Sequence, residues 1–183
     1  MYTPELAQQY QQLYDAMVEN PNVTDEVIAI TKRIQSNQAA YLPISNNFGS
    51  MPYYFVGIIH YRECDFSFKH HIANGDPLIA RTLHVPAGLP IDGSPPFDFT
   101  QAAIAEFHYF HFDKWNDWSI PAILYRFESW NGFGFRAHGI NSPYLFGGSN
   151  LYTKGNYISD HNFDPNAVCK QIGSALLLKN ILS

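Results

Sequence analysis

The chain has 183 residues, enough for one domain to bury a core without disulfide or metal support. Hydrophobic residues make up 46%, which excludes disorder, and a net charge of −5 with no basic block argues against nucleic acid as a partner. No apolar run approaches the roughly 18 residues of a membrane span, and no basic-then-apolar leader opens the chain, so neither membrane insertion nor a signal peptide is expected.

Aromatic residues reach 16%, with 14 Phe and 12 Tyr. They suit a well-filled core, and Tyr and Trp also suit a carbohydrate cleft, where flat rings meet the C–H faces of sugars. Cys64 and Cys169 have no metal-ligand spacing. One long-range disulfide and two reduced, buried thiols are both compatible with them.

In chain order, Thr3-Pro4-Glu5 is an N-cap, a Pro at the first helical position and an acid in the first turn. The helix that follows carries Leu6, Tyr10, Leu13, Tyr14 and Met17 on one face and stops by Pro21. Thr24-Asp25-Glu26 starts a second helix, which fades into Gln35–Gln38 and a loop containing Pro43 and Gly49. A third helix runs from Pro52 to about Glu63, with Val56, Ile59, His60 and Glu63 at i, i+3, i+4, i+7. Residues 65–85 read as extended around Asn74-Gly75, a strong hairpin signal, and 86–96 as a Pro/Gly surface loop.

Thr100 caps a fourth helix, about Gln101–Phe112, and Ser119-Ile120-Pro121 starts a fifth that Gly132 stops. Residues 133–163 lack periodicity, which in a long segment points to function. Asp164-Pro165 then caps a last helix with Val168, Ile172, Ala175 and Leu176 inward. The expected architecture is a single domain over residues 1–183, mainly helical, with one small β-hairpin after the third helix.

The chemistry concentrates at Glu63. A carboxyl group in the last turn of a helix faces the negative end of the helix dipole, and the apolar neighbours Val56 and Ile59 add desolvation. Both effects favour a protonated general acid of the kind that breaks a glycosidic bond. The plainer reading is an ion pair with Arg62 or another cation. Asp76, just past the turn, is the candidate second carboxylate, although Asn-Gly-Asp-Pro is also ordinary turn vocabulary. Asp65 is its rival, and Glu128, on an apolar helical face, is a third.

These residues carry a resemblance. A helix ending in Glu and followed at once by a hairpin resembles the catalytic unit of the lysozyme superfamily. Glu63-Cys64-Asp65-Phe66 is similar to the Glu-Ser-x-Phe signature of goose-type lysozymes and lytic transglycosylases, with Cys64 where Ser is usual. Trp130-Asn131-Gly132 is similar to their Tyr-Asn-x-Gly segment, with Trp130 replacing Tyr. A closer resemblance, over about residues 50–180, is to phage and bacterial lysozyme-like proteins. It rests on His60-Tyr61-Arg62-Glu63, Asn74-Gly75-Asp76-Pro77-Leu78, Val85-Pro86-Ala87-Gly88, Asn131-Gly132-Phe133-Gly134-Phe135-Arg136, Ser142-Pro143-Tyr144-Leu145 and Tyr152-Thr153-Lys154-Gly155.

The resemblance implies a lysozyme-like fold and cleavage of peptidoglycan glycan strands, by hydrolysis or by transglycosylation, with Glu63 as the acid. The expected catalytic residues are Glu63 and Asp76. The expected substrate contacts are His60, Arg62, His70, Asn74, Glu128, Asn131, Tyr144, Asn150 and Tyr152. No cofactor and no metal are expected, the chain is expected to be a monomer, and its place of action is the cell wall, in the periplasm or outside the cell.

Two other classes compete. One is a non-catalytic wall- or sugar-binding module on the same fold, which the Cys64 departure keeps open. The other is a metal-dependent hydrolase using His108 and His111 at i, i+3 with Glu106 nearby, although the His-Glu-x-x-His pattern is absent.

Overall fold

Helix α1 (Pro4–Ala16) forms where its cap predicts: the Thr3 hydroxyl accepts from the Leu6 amide at 3.2 Å, and Pro4 opens the first turn. The computed structural model describes residues 1–159 and 161–183. These divide into two compact units, one of Met1–Lys32 with Ser119–Ser183 and one of Arg33–Trp118. Among the described residues the chain is mainly helical with one small antiparallel sheet, and no helix is long and apolar enough to cross a membrane.

In the first unit α1 packs on α6 (Ile120–Asn131), which starts at Ser119 and ends at Gly132 with φ 91°, both as expected. Two short helices follow, α7 (Gly134–Ala137) and α8 (Pro143–Phe146). The last helix, α9 (Ser174–Leu182), packs on α8 and α6 and buries Ala175, Leu176, Leu177 and Leu178. From α9, Lys179 Nζ donates to the Tyr14 and Met17 carbonyls at 3.0 and 2.9 Å. Those carbonyls lie at the end of α1, where a cation also complements the helix dipole.

The expected last helix starts later than predicted. Asp164 belongs to β2 (Asn162–Asp164), which pairs antiparallel with β1 (Asn156–Ser159). The Asp164 carboxylate accepts from the Asn166 amide at 2.8 Å, so Asp-Pro opens a local turn instead of a helix. Val168 is consequently exposed, while Ile172, Ala175 and Leu176 are buried as expected.

Helix α2 (Thr24–Ser36) spans the division between the units. In the second unit the residues around Pro43, expected to be a loop, form α3 (Gln38–Ser45). The proline costs a helical hydrogen bond, but Tyr41 and Ile44 are wholly buried and α3 packs on both α4 (Tyr53–Cys64) and α5 (Phe99–Tyr109). Asp98, rather than the expected Thr100, caps α5 by accepting from the Gln101 amide.

Helix α4 is buried from Phe55 to Arg62, which makes it the central helix of its unit. Its apolar surround includes Phe107 and Phe112, whose ring centroids lie 6.4 and 5.4 Å from that of Phe55. Gly57 lets α3 approach: a Cβ there would lie 2.7 Å from Ile34 Cγ2 and 2.8 Å from Tyr41 Cε2.

The hairpin expected after α4 is reduced to a single bridge between His70 and Pro77. The chain does reverse at Asn74-Gly75, with His71 N donating to Asp76 O at 2.7 Å and Leu78 N to Lys69 O at 2.9 Å. Beyond this bridge the amides of Ser67, His70 and Ala80 close local turns onto the carbonyls of Cys64, Ser67 and Pro77, at 2.9, 3.2 and 3.3 Å, and no ladder propagates. The two-stranded sheet lies instead in the segment read as irregular.

Candidate functional site

Helix α4 delivers Glu63 to the point where the helix leaves the core. His60, Tyr61 and Arg62 before it are buried, Glu63 itself is half-buried, and Asp65 beyond it is exposed. The helix ends abruptly because Asp65 and Phe66 both take left-handed backbone, φ 46° and 63°. Phe66 buries its ring there, and Arg33 lies 4.5 Å over it.

The returning chain closes on the backbone of Glu63. Gly75 has φ 78°, and a Cβ on it would stand 2.8 Å from the Glu63 carbonyl oxygen, so both the turn and the close approach require glycine. Gly75 N donates to His71 O at 2.9 Å, and the Cys64 thiol donates to the same oxygen at 3.2 Å. Burial pushes that thiol well above its usual range, so it acts as a neutral donor.

His71 is itself fully buried against Glu106, which is also fully buried, with Nδ1 to Oε1 at 2.5 Å. The other ring nitrogen donates to Ala80 O at 2.8 Å, and the second Glu106 oxygen accepts from Ala73 N at 2.9 Å. Nδ1 faces the Glu106 carboxyl and Nε2 the Ala80 carbonyl, and burial raises the Glu106 pKa against the opposing pull of His71 and the Ala73 amide. Burial alone would lower the His71 pKa; the Glu106 carboxylate and the Ala80 carbonyl together raise it. Sequence reading placed Glu106 near His108 and His111 and missed this pair. The available signal was an acid among Ala102, Ala103 and Phe107 on an apolar face.

Asp76 is buried, and its carboxylate is committed to the loop. Oδ2 accepts from Leu83 N at 2.7 Å and His84 N at 2.9 Å, and Oδ1 accepts from His84 Nδ1 at 2.6 Å. Burial would raise its pKa, but the His84 and Leu83 donors outweigh burial and hold it below the usual range. Asn74 serves the same loop, accepting from Asp76 N at 3.1 Å and donating to His84 O at 2.9 Å. His70 Nδ1 pairs with the Ser67 hydroxyl at 2.6 Å.

His60 is a core residue. It is wholly buried among Phe66, Phe68, Phe99 and Tyr41, with Nδ1 3.0 Å from the Tyr41 hydroxyl. Burial lowers its pKa to about 4 against a small opposing contribution from the Ser67 backbone. Arg62 is likewise buried.

The other candidates belong to the first unit. Glu128 is buried; Arg136 Nε donates to its Oε1 at 2.9 Å, Arg136 Nη2 to its Oε2 at 2.7 Å, and the Tyr10 hydroxyl bonds Oε2 as well. This cluster, with Gln9, Asn141 and Ser142, lines a cavity of about 230 Å³. Asn131 is exposed at the end of α6, whereas Tyr144 is packed in the core.

Asn150 splices its loop to the end of α1, accepting from Val18 N at 2.8 Å and donating to Ala16 O at 3.2 Å. The Tyr152 hydroxyl donates to Gly155 O at 3.2 Å and accepts from Cys169 N at 2.9 Å. Asn150 and Tyr152 both line a second cavity of about 660 Å³. Cys64 and Cys169 are free thiols.

His60, Arg62, Glu63, His70, Asn74 and Asp76 thus share one unit, with Glu128, Asn131, Tyr144, Asn150 and Tyr152 in the other. Among the described residues no group of three or more His, Cys, Asp or Glu side chains is gathered to hold a metal ion. His108 is exposed and rests on the Phe48 ring, and His111 is exposed. No protein-family model, no curated protein and no solved structure matches the chain.

Proposed function

We propose that this protein cleaves the glycan strands of peptidoglycan on a lysozyme-like fold, with Glu63 as the general acid. The observation that carries the reading is the setting of Glu63: a half-buried carboxyl residue in the last turn of a buried helix, with the returning chain packed against its backbone at Gly75. The negative end of a helix dipole favours a carboxyl group that keeps its proton until the leaving oxygen needs it. Protonation of the glycosidic oxygen breaks its bond to the anomeric carbon. Water, or a hydroxyl of the same sugar, then captures that carbon.

The commitment of Asp76 to the amides of Leu83 and His84 favours a one-carboxylate route over a pair in which Asp76 is the second acid. In this reading the place of action is the cell wall. The test is mass spectrometry of fragments released from purified peptidoglycan by the wild type and by Glu63→Gln. New reducing ends from the wild type alone would identify a hydrolase and anhydro-sugar ends a transglycosylase. Release by Glu63→Gln at the wild-type rate, or none by the wild type from several wall types, would overturn the proposal.

A further inference from the structure

We infer that Glu106 is a positioning residue for Glu63, acting through the backbone of the 71–75 turn. The inference rests on the catalytic role proposed for Glu63. Its own basis is a continuous set of contacts that joins two acids far apart in the sequence.

One Glu106 oxygen holds the His71 ring at 2.5 Å and the other the Ala73 amide at 2.9 Å. The His71 ring is anchored on its far side by Ala80 O at 2.8 Å. The turn is therefore pinned at 71, 73 and 80 from inside the core. Its outer side meets the catalytic helix: His71 O accepts from Gly75 N and from the Cys64 thiol, and Gly75 stands against the Glu63 carbonyl. The Glu63 carbonyl and the Cys64 thiol thus rest on a turn that a buried carboxyl group holds at two points.

A general acid works only within hydrogen-bond reach of the oxygen it protonates, and displacement by about 1 Å can cost on the order of 100-fold in rate. The Glu106–His71 pair is also expensive to keep in a core, since apolar residues of similar volume would bury well there. The pair reaches the Glu63 backbone through the 71–75 turn.

The experiment compares Glu106→Leu with Glu106→Gln. Glutamine can accept from Ala73 N through its carbonyl and donate to a neutral His71 through its amide, so it keeps the turn in place while removing the acid. Leucine removes both acceptors. Two quantities are read on the intact chain: kcat and KM for glycan-strand cleavage, corrected for folded fraction, and the backbone amide NMR shifts of residues 63–65.

The expected result for Glu106→Leu is a kcat about 100-fold lower with KM little changed, together with displaced 63–65 amides. Glu106→Gln restores both. If Glu106→Leu does not fold, Gly75→Ala presses on the Glu63 carbonyl without touching Glu106 and should lower kcat and move the same amides. Unmoved amides, or an undiminished kcat, in the folded variant overturn the inference. A wild type without activity whose 63–65 amides still move in Glu106→Leu overturns the glycan-cleavage reading and leaves the mechanical link between Glu106 and the Glu63 backbone standing.

Discussion

Arg136 grips Glu128 with two parallel donors, Nε on one carboxylate oxygen and Nη2 on the other, at 2.9 and 2.7 Å. The carboxylate is buried and Tyr10 bonds it from α1, so a charge in the wall of a cavity is satisfied on both oxygens. Fork-to-fork geometry of this kind needs arginine, because a lysine offers no planar pair of donors.

Arg136→Met should therefore strand a buried charge. The expected loss is about 2–3 kcal/mol, below that of a fully buried pair because the Arg136 side chain is partly exposed. Adding Glu128→Leu should recover much of the loss, since the stranded charge goes too. Urea denaturation of the two singles and the double closes the cycle, and strict additivity would refute coupling.

Gly57 is a packing glycine. Alanine would gain about 1 kcal/mol from helix propensity but must displace Ile34 and Tyr41, at about 1–3 kcal/mol for overpacking. Gly57→Ala is expected to be destabilised overall. A rise in the denaturation midpoint would show that α3 can retreat at no cost.

The two buried histidines of the Arg33–Trp118 unit bend the pH dependence of stability in opposite directions. His60, at about 4 when folded, binds its proton more readily once unfolded, near pH 6.5. Its contribution is complete above about pH 6.5 and is lost toward pH 4, by roughly 3 kcal/mol. His71 is raised, so its contribution is complete below about pH 6.5 and is lost as pH climbs through its folded pKa. Urea melts from acid to alkaline pH should show a maximum between these limbs. His60→Phe should flatten the acid limb and His71→Gln the alkaline one; unchanged limbs would contradict the assignment.

Asp76 is expected to matter for the loop more than for chemistry. Its pKa is depressed, so its contribution is present above about pH 4 and is lost as pH falls through the folded value. Asp76→Asn should cost about 1.5–3 kcal/mol in charge-assisted hydrogen bonds and speed amide exchange at Leu83 and His84. Its effect on glycan release should be much smaller than that of Glu63→Gln. Equal losses in the two variants would return Asp76 to the catalytic pair.

The helix starts could be read from the chain because capping is local. The Thr3 hydroxyl gives an orphan first-turn amide its acceptor, and Pro4 and Pro121 each remove a first-turn donor that would need one. The end of α4 near Glu63 was equally legible, from the apolar run that precedes it. The misread elements are those where distant burial outweighed a local signal. Pro43 argued for a loop, yet the buried Tyr41 and Ile44 hold α3 in helix. Asn74-Gly75 promised a hairpin and delivered its turn, but the flanking amides of Ser67 and Ala80 close local turns onto Cys64 and Pro77 in place of a ladder.

The candidate site divides in the same way. The sequence by itself determined a mainly helical chain and a Glu in the last turn of an apolar helix, because periodicity and caps act over one or two turns. Only the tertiary structure decided which polar groups meet. It joined Glu106 to His71, and Tyr10 to Glu128, and it sent His60 into the core in place of a cleft. Pairings of this kind span dozens of residues, and they follow from the requirement that a buried charge find a partner wherever the fold brings one.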